Sequence, residues 1–276
     1  MATRLPPLAF LVTLAACDPY AGFTEPHGSD CIRFDSWDRC WESHVPPGLV
    51  EAPLVIDMHG WLGTPEGQRE NSKLDALADT EGFVAVWPHG LGRSWNAGPG
   101  CCDPAEYDTV DDVGFLRELV GRVIEQHPVD ADRVYVTGLS NGCAMTQRFV
   151  LEASDLVAAG ACMAMVRLVD RPNTYGAVPF MALHGTDDDV VPYDGEEFPG
   201  ALENIARWAD DNLCEANPET TWSDGDSAAL SWLDCANDSE VSLATIAGGG
   251  HILYGGEDTD LDTTVLAWEF LSRFSR

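Results

Sequence analysis

The chain is almost free of lysine and has few basic residues of any kind. Lys73 is the single lysine, and 15 lysine and arginine residues stand against 46 acidic ones, so the formal net charge is −31 over 276 residues. A surface this acidic repels phosphate groups, which argues against nucleic acid as a partner. The same charge disfavours anionic substrates and keeps the exterior well solvated.

Several other patterns are missing as well. The cysteines include no C-x-x-C spacing, so the sequence gives no sign of a zinc site, and we expect neither a metal nor another cofactor. There is no internal repeat and no sign of a second domain. A chain of this length can form one large α/β domain.

The N-terminus has the layout of an export signal. Arg4 precedes an apolar stretch, residues 8–16, that is too short to span a bilayer and that ends directly before Cys17. This pattern resembles a bacterial lipoprotein signal, in which residues 1–16 are removed and Cys17 is acylated, anchoring the protein to the cell envelope. The alternative is an ordinary cleaved secretion signal. Residues 17–30 are polar and contain glycine and proline, as in a tether.

Cysteine usage also favours export. Setting Cys17 aside leaves eight cysteines, an even number that suits four disulfide bonds in an oxidising compartment. We expect one bond between Cys214 and Cys235 and one between Cys31 and Cys40. For the other four the sequence leaves two alternatives open: Cys101 and Cys102 pair with each other, or they pair with Cys143 and Cys162.

One serine lies in a sharp turn between a strand and a helix. Ser140 is the centre of the sequence GLSNG, which follows the apolar residues 134–136 and precedes a helical pattern. This is the strand–turn–helix arrangement of a nucleophile elbow. Gly138 and Gly142 flank the turn, where we expect a Cβ to collide with the chain. The helix N-terminus beside the serine favours a developing negative charge.

An acid and a histidine follow this serine in the order that such an elbow requires. Asp188 comes after the apolar residues 178–183, and His251 comes after three glycines. A neutral imidazole activates a serine hydroxyl by accepting its proton, and a buried carboxylate fixes the tautomer of the imidazole. The sequence therefore predicts a triad of Ser140, His251 and an acid, for which Asp187, Asp188 and Asp189 are all candidates.

The fourth part is an oxyanion hole. The buried strand predicted for residues 54–58 ends in His59-Gly60-Trp61. We expect the N–H groups of Trp61 and Asn141 to hold the oxyanion, and such a donor contributes about 3 kcal/mol in the transition state. His59 is expected to shape this loop rather than to act as a base, and His184 is expected to orient the acid loop.

A set of motifs in fixed order gives the sequence a family resemblance. The motifs are HG at 59–60, SWN at 94–96, CC at 101–102, VDDVGF at 110–115, RVY at 133–135, GLSNG at 138–142, HGT at 184–186, VPY at 191–193 and GGH at 249–251. Together they resemble the secreted esterases that include poly(3-hydroxybutyrate) depolymerases, feruloyl esterases and acetylxylan esterases (carbohydrate esterase family one and its relatives). The resemblance covers roughly residues 50–275, and it implies an α/β-hydrolase fold and Asp188 as the acid.

Two departures from the family pattern stand near the site. Cys143 replaces the second glycine of the usual Ser-Asn-Gly-Gly, and Leu253 and Tyr254 stand where the family usually has Trp-Pro after the histidine. Candidate substrate-binding residues are His59, Gly60, Trp95, Asn96, Tyr193, Leu253 and Tyr254. For Trp95, Asn96 and Tyr193 the alternative is that they brace the loops.

Alternating strands and helices predict the architecture. We expect strands at 54–58, 83–87, 134–137, 158–165, 178–183 and 241–246. We expect five helices: one near 67–80, one that begins at Asp111 or Asp112, one that follows the serine turn and ends at about 153, one near 200–212 and one over 261–274. This alternation implies a mostly parallel, doubly wound sheet with helices on both faces, and residues 31–276 are expected to form this catalytic domain. Catalytic loops then gather at the carboxyl ends of the strands.

These observations predict a secreted, lipid-anchored serine esterase that needs no cofactor. By the resemblance, its substrates are feruloyl or acetyl esters of plant polysaccharide fragments, or short hydroxyalkanoate oligomers. Two other classes remain open. A serine peptidase uses the same triad on the same fold, and a non-catalytic surface binding protein could retain the fold.

Overall fold

The structure is a computed structural model that describes residues 30–102, 110–196, 198–252, 254 and 261–276. The predicted signal peptide, the acylation site at Cys17, the tether up to residue 29 and the candidate substrate contact Leu253 lie outside the described residues.

Ten strands in the described residues form one sheet. They are β1 (Asp30–Phe34), β2 (Trp37–His44), β3 (Ala52–Met58), β4 (Val84–Pro88), β5 (Val129–Gly138), β6 (Ala159–Met163), β7 (Phe180–Gly185), β8 (Glu219–Asp224), β9 (Ser227–Trp232) and β10 (Val241–Ile246). Their order across the sheet is β1-β2-β4-β3-β5-β6-β7-β10-β9-β8. The central strands from β4 to β10 run parallel, and antiparallel hairpins extend both edges.

Six α-helices pack against this sheet in the described part of the chain. They are α1 (Pro65–Ser72), α2 (Leu74–Glu81), α3 (Asp112–Gln126), α4 (Asn141–Glu152), α5 (Ala201–Asp211) and α6 (Thr263–Leu271). Helices α3, α4 and α5 share one apolar core with Leu54 and Ile56 of β3, whereas α2 and α6 share a second core with Val55 of the same strand. Because neighbouring residues of a strand point to opposite faces, the helices cover both faces. The predicted α/β-hydrolase fold class is confirmed.

The structure differs from the predicted elements in two places. The helix expected near 67–80 is two helices, because Lys73 adopts a left-handed conformation with φ of 51° and ends α1 by donating its N–H to the Arg69 carbonyl. The hairpins β1–β2 and β8–β9 were not predicted. Their outermost strands, β1 and β8, are largely exposed, and the buried positions of β9 are the small residues Ser227, Ala229 and Ser231. The hairpins therefore carry little of the apolar pattern that marked the central strands.

Four disulfide bonds join the eight cysteines expected to pair. The bonds Cys31–Cys40 and Cys214–Cys235 are confirmed. Of the two alternatives left open, the structure has Cys101 bonded to Cys102 and Cys143 bonded to Cys162. Four bonds in one chain are typical of proteins that fold in an oxidising compartment. Among the described residues, no helix has the length and apolar character to cross a membrane.

Candidate active site

Ser140 lies at a strained turn between β5 and α4. Its φ is 55° and its ψ is −122°, a backbone conformation that residues with a side chain rarely adopt. A Cβ on Gly142 would overlap the backbone carbonyls of Met58 and His59, and one on Gly138 would lie 2.7 Å from the Gly142 carbonyl oxygen. The predicted need for glycine on both sides of the serine is confirmed.

Asn141, the residue after Ser140, is fully buried and held on both sides of its amide. Its Oδ1 accepts a hydrogen bond of 2.8 Å from the Trp95 N–H, and its Nδ2 donates one of 3.1 Å to the Trp95 carbonyl. Asn141 is also the first residue of α4, and N–H groups in the first turn of a helix lack acceptors within the helix. The Trp95 contacts therefore fix the position of an N–H group next to the serine.

The disulfide bond between Cys143 and Cys162 stabilises the Ser140 turn from the side of β6. Both cysteines are fully buried, and the bond joins the first turn of α4 to β6. The Ser140 N–H donates to the Met163 carbonyl oxygen at 2.9 Å, so β6 contacts the turn a second time. Cys143, the first departure from the family pattern, thus ties the serine turn to the neighbouring strand.

Asp188 and His251 are in direct contact. The Nδ1 atom of His251 lies 3.0 and 2.9 Å from the two carboxylate oxygens of Asp188. The Asp188 side chain is fully buried, whereas that of His251 is 17% exposed. Asp187 and Asp189, the rivals for the acid, are both exposed. A carboxylate at Nδ1 makes that nitrogen the donor and leaves Nε2 available to accept a proton.

The neighbours of Asp188 keep it ionised. Burial alone would raise the pKa of Asp188, but hydrogen bonds from His184 and His251 outweigh burial and hold that pKa well below its usual value. The N–H groups of Val190 and Val191 also donate to the carboxylate, at 2.9 and 2.8 Å. The His184 Nε2 atom donates to the Val191 carbonyl at 2.8 Å, as expected for a residue that orients the acid loop.

The serine turn and the histidine loop lie at the same edge of the sheet. Backbone hydrogen bonds connect neighbouring strand ends, and in each the N–H of the first residue donates to the carbonyl of the second. The pairs are Ser140 to Met163, Ala164 to Leu183, Thr186 to Ile246 and Asp187 to Gly249. His251 follows two residues after Gly249. This series connects the carboxyl ends of β5, β6, β7 and β10, the edge where ligands bind in open α/β sheets.

The predicted oxyanion loop packs directly against the serine. A Cβ built on Gly60 would lie 3.4 Å from the Ser140 Cβ. Arg93 clamps the loop: its carbonyl accepts from the Leu62 N–H at 2.8 Å, and its guanidinium donates to the carbonyls of Leu62 and Gly63. No motif around Arg93 indicated this role, because the contact joins two irregular loops.

His59 is a neutral, buried member of this loop. Its Nδ1 donates to the Gly60 carbonyl at 2.8 Å, and its Nε2 accepts from the Gly90 N–H at 3.0 Å. Burial lowers the pKa of His59 from 6.5 to about 4. Both ring nitrogens are engaged inside the loop, which fits the expected shaping role and is at odds with a side-chain contact to substrate.

Trp95 and Asn96 take the bracing role that the sequence left open. Trp95 is fully buried, and its Nε1 donates to the His59 carbonyl at 2.9 Å. The Asn96 N–H donates to Asp112 at 2.8 Å, and its Nδ2 donates to the Val110 carbonyl at 2.9 Å. Trp95 is thus bonded to the backbone of His59 at the start of the oxyanion loop, and Asn96 is bonded to residues 110 and 112.

The two tyrosines among the predicted substrate contacts are both engaged within the protein. Tyr193 is half-buried and shares a hydrogen bond of 2.8 Å with Thr245 of β10. Tyr254 is 9% exposed and packs in the α2/α6 core, where its hydroxyl accepts from Gln68 at 2.7 Å. The Tyr254 side chain thus faces this core, which favours a packing role over the predicted contact with substrate.

Exposed apolar side chains follow three of the strand ends. We call them the apolar rim: Trp61 is 51% exposed, Leu62 48%, Val190 61% and Ile252 46%. Each stands within two residues of a candidate site residue, namely Gly60, Asp188 or His251. Apart from Trp61, these residues carried no recognisable signal in the sequence. In the residues described, no cluster of three or more histidine, cysteine or acidic side chains could hold a metal ion.

Proteins with related sequences are esterases. The chain is 30% identical over 247 residues to feruloyl esterase B of Piromyces equi, an alignment that covers 83% of this chain and 43% of that protein. It is 26% identical over 247 residues to a bifunctional acetylxylan esterase/xylanase of Neocallimastix patriciarum, covering 84% and 33%. A poly(3-hydroxyalkanoate) depolymerase of Paucimonas lemoignei is 32% identical over 126 residues, covering 44% and 30%. The chain thus spans less than half the length of these relatives.

Solved structures show the same fold. The acetyl xylan esterase from Aspergillus awamori superposes with a TM-score of 0.69 at 16% identity, covering 88% of this chain and 98% of that one. A thermostable esterase superposes with a TM-score of 0.62 at 16% identity, covering 90% and 63%. No family model matches the chain. The sequence motifs, the relatives and the fold agree, and the chain belongs to the α/β-hydrolase esterases that include feruloyl esterases, acetylxylan esterases and polyhydroxyalkanoate depolymerases.

Proposed function

We propose that the protein is a serine esterase that hydrolyses carboxylic esters through an acyl-enzyme. The observation that carries the proposal is the Asp188 carboxylate against Nδ1 of His251, at the sheet edge that also holds the strained turn of Ser140. The relatives are esterases, and the chain has the serine, acid and histidine of such enzymes in the required order.

In the first half of the reaction, the Ser140 Oγ attacks the ester carbonyl carbon. His251 accepts the hydroxyl proton at Nε2 and then donates it to the oxygen of the leaving alcohol. Asp188 remains ionised, because hydrogen bonds hold its pKa low, and it stabilises the imidazolium that forms. The carbon–oxygen bond to the alcohol breaks, and the acyl group stays on Ser140.

The oxyanion forms against backbone donors. The N–H of Asn141 is held in place by the Trp95 contacts, and the N–H of Trp61 follows Gly60, which packs against Ser140. Donors of this kind, fixed before the reaction, stabilise the tetrahedral intermediate by about 3 kcal/mol each. In the second half, His251 accepts a proton from water as the water oxygen attacks the acyl carbonyl carbon. The bond between that carbon and the Ser140 Oγ then breaks, the imidazolium returns its proton to Oγ, and the carboxylic acid leaves.

The apolar rim supports an ester with an apolar or aromatic acyl group. Its four exposed side chains stand within two residues of Gly60, Asp188 or His251 in the sequence. Burial of such groups by a substrate contributes about 25 cal/mol for each Å² removed from water. The net charge of −31 disfavours anionic substrates. A feruloyl ester of a polysaccharide fragment or a hydroxyalkanoate oligomer meets both conditions better than a simple acetyl ester does.

Hydrolysis by the purified protein tests the proposal. We expect turnover of feruloyl, acetyl or hydroxybutyrate esters and no turnover of a peptide panel, and we expect Ser140→Ala to abolish turnover while the circular dichroism spectrum is unchanged. Activity of Ser140→Ala above a few per cent of wild type contradicts the mechanism. Cleavage of peptides without cleavage of esters assigns the site to a peptidase instead.

We further propose that the protein is exported and anchored to the cell envelope through acylated Cys17. The four disulfide bonds support export, and the residues before Cys17 support the anchor. Metabolic labelling with a palmitate analogue is expected to mark the full-length wild type and not Cys17→Ser. Equal labelling of both, or release of the wild type into the medium without label, contradicts the anchor.

A further inference from the structure

A buried carboxylate outside the triad occupies the strand that leads to the oxyanion loop. Asp57 of β3 is 1% exposed and faces the α2/α6 core, and within the described part of the chain no basic side chain forms an ion pair with it. Burial raises the pKa of Asp57 to about 6, which shows how unfavourable its charge is there. A buried carboxylate without a cation needs donors. Ser72, Gln68 and Trp87 all act to lower the pKa of Asp57, and Gln68 and Trp87 form hydrogen bonds to its carboxylate.

The donors come from two different elements. Trp87 of β4 donates its Nε1 to one carboxylate oxygen at 3.1 Å, and Gln68 of α1 donates its Nε2 to the other at 2.6 Å. The same Nε2 also donates to the Tyr254 hydroxyl at 2.7 Å. Since an amide nitrogen carries two hydrogens, Gln68 can serve both acceptors at once.

This bridge joins the two halves of the candidate active site. Asp57 lies two residues before His59 and three before Gly60, so it belongs to the strand that presents the oxyanion loop. Tyr254 lies three residues after His251. Three residues reach at most about 10 Å, so fixing Tyr254 limits how far the His251 backbone can move.

On the other side of His251, three glycines, residues 248–250, precede it and make their contacts through the backbone. The Gly248 N–H donates to the Thr186 hydroxyl at 2.8 Å, and Gly249 is held by Ile246 and Asp187. Asp188 fixes the plane of the imidazole at Nδ1, but it does not fix the chain that carries the ring. The buried hydrogen bond at Tyr254 holds that chain on the C-terminal side of His251.

We propose that Asp57, Gln68 and Tyr254 are positioning residues, forming a buried bridge that holds the His251 segment in register with the oxyanion loop. The proposal rests on the esterase function proposed above. None of the three residues touches the reacting atoms. The bridge acts on catalysis through the placement of His251, where a displacement on the order of 1 Å costs up to about 100-fold in rate.

Tyr254→Phe tests the bridge, because it removes one hydroxyl and keeps the ring. We expect kcat to fall about tenfold with KM changed less than twofold. We also expect the downfield proton resonance of the His251–Asp188 hydrogen bond to shift or broaden. Tyr135→Phe is the matched control: Tyr135 is buried in the same core and donates to the Phe274 carbonyl at 2.7 Å, away from His251.

The outcomes separate the two proposals. Gln68→Leu, which breaks the bridge from α1, is expected to give the same kcat loss, so the test survives if Tyr254→Phe folds poorly. The positioning role is overturned if Tyr254→Phe or Gln68→Leu folds, loses stability as Tyr135→Phe does, and still has wild-type kcat and an unchanged His251–Asp188 proton resonance. If Ser140→Ala remains active, the esterase mechanism fails, whereas the His251 resonance still reports on the bridge.

Discussion

Ser140 has a backbone conformation that costs on the order of 1–3 kcal/mol for a residue with a side chain. Such strain persists only where the surroundings enforce it. Here the enforcing contacts are the close approach of Gly142 to the end of β3, the hydrogen bond to Met163 and the disulfide bond of Cys143. They hold the serine at the tip of the turn, and a strained residue in this position is typical of a catalytic nucleophile.

The acid can be tested against its own neighbour. Asp188→Asn keeps the shape of the side chain but replaces the carboxylate that orients His251, so we expect kcat to fall by about 10⁴. Asp189→Asn makes the same chemical change one residue later, at an exposed position, and should leave kcat within about twofold of wild type. Steady-state kinetics on one ester decides between them, and equal effects of both substitutions would remove Asp188 from the triad.

His59 gives the stability of the protein a pH dependence with a definite sign. Its pKa is about 4 in the folded state and near 6.5 when unfolded, so between these values the unfolded chain binds a proton that the folded chain does not. The stability that His59 contributes is therefore present above pH 6.5 and is lost as the pH falls towards 4, by up to about 3 kcal/mol.

The difference between wild type and His59→Gln isolates this effect. Other groups, such as Asp57 with its raised pKa, titrate in the same range and cancel in the difference. Urea unfolding at pH 7 and pH 4.5 should show wild type losing stability relative to His59→Gln. A difference that is constant with pH would mean that the pKa of His59 is the same in the folded and the unfolded chain.

Single residues could be predicted from the sequence where a motif and its order along the chain define the role. Ser140 and His251 followed from motifs, but Asp188 could be told from Asp187 and Asp189 only by resemblance, and the structure separates them by burial. The direction in which a loop side chain points is a tertiary property. This is why the sequence left the role of Trp95 open and gave no sign that Tyr254 packs in the α2/α6 core.

Among the structural elements, the oxyanion loop is held in place by contacts with the loop after β4, which contains Arg93. Arg93 contacts three backbone groups of residues 62–63. Loop donors stabilise an oxyanion only when their positions are fixed before the reaction. Through these contacts of Arg93, the loop after β4 affects the reaction at Ser140.

Arg93→Ala should loosen that loop. We expect kcat/KM to fall about tenfold with little change in Tm, because the contacts lie at an exposed position and position only a short loop. Arg122→Ala is a suitable control. Arg122 is also at the surface, and its ion pairs with described residues are to Glu118 and Glu125 of its own helix. Parallel kinetics of the two variants with a thermal scan tests this, and equal activity would show that the loop holds its shape unaided.

Elements with strong apolar patterns were predictable and polar ones were not. Strand β10 lies at the predicted residues 241–246, and α3 starts at Asp112 after an Asp111 cap that accepts from Gly114. The outermost strands β1 and β8 are largely exposed, and a two-residue turn joins each to its partner strand. In such hairpins the turn fixes the register of the strands, so an apolar pattern is not needed. The break at Lys73 depends on a single left-handed residue, for which lysine gives no signal.

For the whole molecule, the excess of acidic residues lowers the free energy of unfolding through long-range repulsion. A net charge of −31 on one chain repels itself, and the screening length falls from about 10 Å at 0.1 M salt to about 3 Å at 1 M. Because repulsion destabilises the compact state, screening should stabilise it. We expect Tm to rise by about 3–6 °C between 0.05 and 1 M NaCl.

The salt response can be traced to the surface charge. The triple variant Glu219→Gln, Asp224→Asn, Asp226→Asn removes three exposed charges of the β8–β9 hairpin, far along the sheet from the serine turn. It should have a higher Tm at low salt and a smaller rise with NaCl than wild type. A Tm that is flat or falls with NaCl in both proteins would show that self-repulsion is not a significant term.

The most direct test of the whole account is reaction of the native protein with a fluorophosphonate, followed by peptide mapping. The reagent phosphonylates only a serine activated by a base, and the account places that activation where the ends of β5, β7 and β10 meet. We predict a single stoichiometric adduct on Ser140, formed at least 100-fold more slowly in Asp188→Asn. An active esterase that carries no adduct, or carries it on another residue, would contradict the account.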